Sequence, residues 1–347
     1  MRPFARKSAS AVTDQAITRF WAWWEEARPE LDTLASAADN DKPTEVIASA
    51  VSAIHPDLAV EVSSGLLARH SLTVTAAGDP ELRSTAHRWA RSAPEGDGTW
   101  EFYPSRQPIL GAVELTLDAD GRELALDQML LGLRVPRDRP RLDVAAYHPV
   151  FEDIGDDERM EATLLALDSL LGEDEVARWI GEITTAAFPP IDAVAAAHLP
   201  AVVNDLASGY EDGQWSLLEG RTEDGSKIVA VARMPLRQVD HPLFDQHIAI
   251  TLPYTHASEE GLPAEPSLSA LNGFEERLNA EVDAQRDEAV VVVHMSLAGR
   301  RLIHVYADPA ADVPPRLKKL VGTWTEGRAQ MDVGDDPGWI AISPFLS

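Results

Sequence analysis

The chain has no cysteine in its 347 residues. Disulfides, a thiol nucleophile and a thiolate metal site are therefore excluded, and the composition suits a reducing compartment. No stretch holds the ~18 consecutive apolar residues of a membrane-crossing helix, so no membrane partner is expected. The opening MRPFARKSASAVTD is basic but lacks the apolar core of a secretory signal, and it reads as the frayed N-terminus of a cytoplasmic protein. Positive charge is scarce as well: 30 Lys and Arg stand against 57 Asp and Glu, a net charge of −27. Such a surface repels phosphate backbones, so direct nucleic-acid binding is not expected without a basic patch. The densest basic stretch, Arg134 to Arg141, is broken by Asp138 and two prolines and reads as a solvated loop. An acidic surface favours solubility and encounter with a basic protein partner.

Catalytic strings are missing too. The chain holds no G-x-S-x-G elbow, no phosphate-binding G-x-x-x-x-G-K-[ST] loop and no G-x-G-x-x-G opening a helix. Carboxylate pairs such as Glu259-Glu260, Glu275-Glu276 and Asp335-Asp336 arise by chance among so many acids. Neighbours on a helix face apart, so Glu275 and Glu276 are expected on a solvated face and not as a dyad. No catalytic residue, cofactor or metal ligand is nominated.

What is present is a concentration of histidine. His241, His247 and His256 fall within HPLFDQHIAITLPYTH, and His294 and His304 follow. No H-E-x-x-H or H-x-x-E-H spacing joins them. In AVVVVHMSLAGRRLIHVYA, a two-residue turn beginning at Gly299 sets Met295 opposite His304 and Val305 opposite His294. The two rings then project from opposite sides of the sheet. Structural histidines are the expectation.

Periodicity supplies the elements of the first half. Ile17, Phe20, Trp21, Trp24, Leu31 and Leu34 mark a helix over 14–39, capped by Asp14 and kinked or split at Pro29, with Trp23 off the stripe. TEVIASAVSAI is a second helix starting at Thr44. LAVEVSS and HSLTVTA are strands about Gly65, and Asp79-Pro80-Glu81 opens a helix that Pro94 closes. TWEFYP, a hairpin around Asp120-Gly121, MLLGLRV and RLDVAAYHP are further strands. Two helices follow. One is striped by Met160, Leu164, Leu167 and Leu171 and stopped by Gly172; the other, over EDEVARWIGEITTAAF, is striped by Val176, Trp179, Ile180 and Ile183. The Pro- and Ala-rich run from Phe188 to Gly209, with His198 as a surface or capping residue, reads as the linker. Helices mixed with short antiparallel strands predict an α+β first domain over 1–208.

In the second half, QWSLLEGRT and KIVAVARMPL flank an Asp224-Gly225 turn. HIAITLPY alternates, with Ile248, Ile250 and Leu252 on one face. SLSALNGFEERLNAEVDAQ is a helix with a Ser267 cap and a stripe of Leu268, Leu271, Phe274, Leu278 and Val282. The hairpin, a short helix in DVPPRLKKLVGTW and a last strand complete the order strand–helix–strand–strand–helix–strand. That order predicts a ferredoxin-like antiparallel α/β sandwich over 209–347. The segment from Asp240 to Leu278, the AGRRLIHVYA hairpin and the closing DDPGW resemble the bacterial domain-of-unknown-function family 695. The FWAWW helix and LDSLLGEDEV are similar to the upstream region of its long members. The resemblance implies kinship and fold, and brings no site residues with it. The order of elements is also similar to that of the B-type ribonuclease E inhibitor, by analogy of fold alone.

These readings favour a non-enzymatic regulatory or protein-binding module with a basic protein as partner, met by Glu259, Glu260, Glu265, Glu275, Glu276 and Glu281. The alternative is a hydrolase-type enzyme using histidines and carboxylates of the second domain, with or without a metal.

Overall fold

The computed structural model describes residues 9–35, 41–137, 139–210, 214–222, 225–284 and 288–346. The opening eight residues, Asp138 and Asp224, each assigned a role from the sequence, lie outside them. Helices and strands are both plentiful, so the α+β class holds. Among the described residues no helix is long and apolar enough to cross a membrane. The chain gathers into two compact bodies, one of Thr13–Asp79 and Thr85–Glu211, the other chiefly Asp212–Ser347.

The first body begins with helix α1 (Ala9–Ala35). It starts five residues before Asp14, so Asp14 is not its cap. It also runs on through Pro29 without splitting. Proline removes one N–H, but Glu25, Glu26 and Pro29 are exposed, so water can satisfy the freed carbonyl. Trp24 and Leu31, both buried, hold the helix on either side. Helix α2 (Asp41–Val51) follows, then strands β1 (Ala59–Ser64) and β2 (His70–Thr75), helix α3 (Pro80–Arg91) and strand β3 (Trp100–Tyr103). β1 pairs antiparallel with β2, but β2 and β3 are parallel, a pairing made possible by the α3 crossover. Trp21, Trp24, Trp89, Trp100 and Phe102 interlock with ring centroids 5.0 to 6.3 Å apart, making the small sheet's apolar side an aromatic core.

The rest of this body holds the hairpin β4 (Thr116–Ala119) and β5 (Arg122–Ala125), strands β6 (Leu130–Arg134) and β7 (Leu142–Tyr147), helices α4 (Asp156–Leu171) and α5 (Glu173–Trp179), strands β8 (Ile180–Thr185) and β9 (Val194–Ala195), and helix α6 (Leu199–Ser208). A four-stranded sheet has the order β8-β7-β6-β9. Three expectations change here. The second expected helix stops at Trp179, and Ile180 and Ile183 belong to β8, parallel to β7. The β-branched run Ile-Thr-Thr prefers a strand, and Gly181 lets the backbone meet Asp143, which accepts the Glu182 N–H at 3.0 Å. On α4, Leu164 is exposed, and the buried stripe is Ala162, Ala166, Leu167, Leu170 and Leu171. The run expected as a linker instead forms β9 and α6, with Ala196, Leu199 and Val203 in this body's core.

The second body is one six-stranded antiparallel sheet with helices on one side. Its elements are β10 (Gln214–Arg221), β11 (Lys227–Met234), β12 (Gln246–Pro253), α7 (Ser267–Asp283), β13 (Ala289–Leu297), β14 (Arg300–Ala307), α8 (Val313–Val321) and β15 (Gln330–Asp335). The lateral order is β10-β11-β13-β14-β12-β15. Ile248, Ile250 and Leu252 alternate into a core with Leu271, Phe274, Leu278 and Val282 of α7 and Val313, Leu317 and Val321 of α8. Each such large side chain contributes about 1.5–3 kcal/mol on burial. Ser267 opens α7 but does not cap it. Its hydroxyl accepts the His256 N–H at 3.0 Å and donates to Glu326, tying the preceding loop to the chain after α8.

The opposite side of the sheet is covered by the β11–β12 connection and the C-terminal segment, through Leu236, Phe244, Trp339 and Ile342. Trp339 sits at φ 56°, a costly backbone for so bulky a residue. Its ring is fully buried 4.2 Å from Tyr306, and its indole N–H donates to the Phe244 carbonyl at 2.7 Å. These contacts hold the strained position.

Candidate functional site

The hairpin carrying His294 and His304 turns on Ala298 and Gly299, at φ 47° and 75°. Two consecutive positive φ values make a type I′ turn, one residue earlier than the turn expected with Gly299 first. The register is accordingly His294 opposite Ile303 and Val293 opposite His304. The rings still leave the sheet on opposite sides, because partners across a ladder share a face and neighbours along a strand do not.

On the side away from α7 and α8, His304 is buried and its Nδ1 lies 2.9 Å from Nε2 of His247. Burial, and then the neighbouring His247, push the His304 imidazole down to about 4. Burial lowers His247 as well. Tyr306 beside them donates to Asp336 at 2.6 Å, and its phenol is pushed up by burial and then by that carboxylate. Asp336 also accepts the N–H groups of Ile340 and Ala341. The histidine pair is thus a packed element of the sheet, and beside it the Tyr306–Asp336 bond joins the sheet to the C-terminal segment.

His294 lies on the α7 side. Nη1 of Arg301 is 2.6 Å from His294 Nδ1 and 2.9 Å from Glu275 Oε1. His294 Nδ1 also lies 3.1 Å from Glu275 Oε1, so imidazole, guanidinium and carboxylate form one compact cluster. Glu275, expected on a solvated face, is instead half-buried and bound to Arg301, while Glu276 beside it is exposed. Helical geometry separates the two, as expected for neighbours, but the sheet supplied a cation that α7 alone could not reveal.

The other histidines do not join these. His256 lies against Thr255 and Ser267, and His241 stacks on Phe244 and Trp339. Among the described residues no group of three or more His, Asp and Glu is arranged to hold a metal ion.

Next to His294 the sheet is open. The Trp215 ring meets His294 edge-on at 5.6 Å, and Trp215, Val231, Glu275, Asn279, His294 and Ile303 line a socket of about 210 Å³. Trp215 and Leu217 share the face of β10 that carries this socket, and they are 44% and 66% exposed. β10 is also an edge of the sheet among the described residues, so one row of its backbone N–H and C=O groups has no strand beside it. Charge near the patch is mixed: Lys227 lies 3.8 Å from Glu219 and 3.7 Å from Glu260, Arg221 lies 3.9 Å from Glu260, and Arg233 stands opposite Trp215. Trp215, Leu217 and Arg301 do not stand out in the sequence. An alternating strand shows which residues share a face, but not whether a helix covers that face.

Residues 213–347 match the model of a family described as a family of unknown function, DUF695. No curated protein and no solved structure matches the chain.

Proposed function

We propose that the family region at residues 213–347 is a protein-binding module, and that its partner docks on the β10 edge and the socket beside it. The observation that carries this reading is the coincidence of a free sheet edge with Trp215 and Leu217 exposed on the same strand. An unpaired edge offers main-chain hydrogen bonds, and exposed apolar side chains beside it offer burial. A basic segment of a partner fits best, given the net charge of −27.

Two finer assignments belong to this reading. The region is a ferredoxin-like sandwich extended by the β10–β11 hairpin, supported by the chain order β12-α7-β13-β14-α8-β15 with lateral order β13-β14-β12-β15. It begins near residue 209 and acts in the cytoplasm, in keeping with the lack of cysteine.

The test is capture from the source cell's extract at low salt, with the full chain as bait. A basic protein retained by the wild type and lost with Leu217→Asp is expected, and its association rate should fall as salt rises. The same proteins bound by both baits, or a flat salt series, would overturn the reading.

A further inference from the structure

The small sheet of the first body has two unlike faces. On one lie Val62, Leu72, Val74, Trp100 and Phe102, packed in the aromatic core. The other carries two polar rungs: Ser63, Ser71 and Glu101 form one, and Glu61, Thr73 and Tyr103 the next. A polar sheet face normally meets water. Here Ser71 and Thr73 are 5% and 6% exposed, because the 105–110 segment and α4 roof the sheet. Between floor and roof lies a cleft of about 380 Å³, within the size range of small-ligand sites.

The charges in the cleft do not balance. Arg106 is held between two carboxylates, with Nε 2.6 Å from Glu61 and Nη1 3.1 Å from Asp168. One guanidinium therefore faces two acids, and Glu101 is a third at the cleft wall. Burial first, and then the charge of Glu173, push the Asp168 carboxyl up to about 6, with Arg106 opposing the shift. A second observation is independent of the acids. Among the described residues the Thr73 hydroxyl has no hydrogen-bond partner, although the residue is more than nine-tenths buried and faces the cleft. Ser63 and Ser71, by contrast, satisfy each other at 2.7 Å. The Thr73 oxygen thus keeps an open acceptor on the floor of the cleft.

The rim is apolar and held in place. Leu67 and Leu110 are 94% and 89% exposed, with Leu66 and Ile109 beside them. Glu101 takes the backbone N–H groups of Leu66, Leu67 and Ala68, fixing one lip. Gly65 makes this possible, since a Cβ there would lie 2.7 Å from Glu101 Oε1. The Ile109 N–H donates to Ser169 of α4 at 2.9 Å, fixing the other lip.

We propose that this cleft is a binding site for an alkylammonium group, with its charged nitrogen at Glu61 and Thr73 and its carbon chain along the leucine rim. The surplus carboxylate selects a cation, the Thr73 oxygen accepts one of its N–H bonds, and the rim takes the methylenes. The proposal does not depend on the protein-binding reading of the other body.

Calorimetric titration of the full chain tests it, with n-butylammonium as probe and n-butanol as its uncharged counterpart. Saturable binding of the amine, at least tenfold tighter than of the alcohol, is expected. Thr73→Val should weaken the amine roughly tenfold, the loss of one hydrogen bond to a charged group, and Glu61→Gln should weaken it further. Unchanged far-ultraviolet circular dichroism of Thr73→Val guards against a folding defect, since valine suits a strand. Titration with Nα-acetyl-lysine methylamide separates the sources: tighter binding than butylammonium marks a protein-borne lysine, and weaker binding a free amine. Equal affinity for amine and alcohol, no saturable binding of any amine, or indifference to Thr73→Val would overturn the proposal.

Discussion

His304 shows how a single side chain acquires a pH-dependent role from its surroundings. Its folded pKa lies near 4, below the ordinary histidine value of 6.5. A lowered folded value means that the unfolded chain binds the extra proton first. The stability contributed is therefore complete above about 6.5 and is lost as pH falls towards 4. Replacing His304 with leucine should flatten the acid side of the melting-temperature profile between those limits. Thermal scans of both proteins across that range check it, and parallel profiles would show that other groups govern the acid response. Asp168 works in the opposite direction. Its folded value of about 6 exceeds the ordinary 3.8, so its contribution is complete below 3.8 and is lost as pH rises through 6. In Asp168→Asn that loss should disappear, which the same scans would show. Trp339 belongs to this scale too. It is fully buried with its indole bonded, so Trp339→Ala should cost about 3–5 kcal/mol in denaturant unfolding.

Elements were legible where local chemistry and tertiary context agree. The β12 alternation, the α7 stripe and the Pro80 start of α3 stand as the sequence indicated, because each rests on a periodicity or cap contained within the element. The helix expected over 173–188 failed for the converse reason. Val176, Trp179, Ile180 and Ile183 fit a helical period, but β7 offers Ile180–Thr185 a partner that a local reading cannot see. Gly181 is the residue that records this pairing: a Cβ there would lie 2.5 Å from Asp143 Oδ1. Gly181→Ala should therefore destabilise the first body by about 1–3 kcal/mol through overpacking, read by chemical denaturation. The candidate sites were less legible than the elements. The faces of β12 could be read from alternation, but the Arg301–Glu275 contact and the uncovered end of β10 depend on how strand and helix register against each other. The polar face of β1, β2 and β3 could be seen in EVS, HSLTVT and WEFY by alternation. Its roof, brought by α4 from far along the chain, could not.

At the scale of the molecule, the two bodies carry unlike surfaces and each has its own core. Limited proteolysis should nick the neighbourhood of residue 209 and release a C-terminal fragment that unfolds cooperatively. A fragment that emerges as a molten chain would place the boundary elsewhere. The two edges of the large sheet also differ. β15 carries Asp332 and Asp335 along its edge, while β10 presents Trp215, Leu217 and Leu218. Like acids side by side resist strand pairing, and apolar residues invite it. Copies of the chain brought near the sequence pI of about 4.6 lose the mutual repulsion of their net charge. A β10-to-β10 pairing of two copies would use up that edge and leave β15 outermost on both sides, so growth would end at two copies. Sedimentation near that pH would show this as a dimer without larger species.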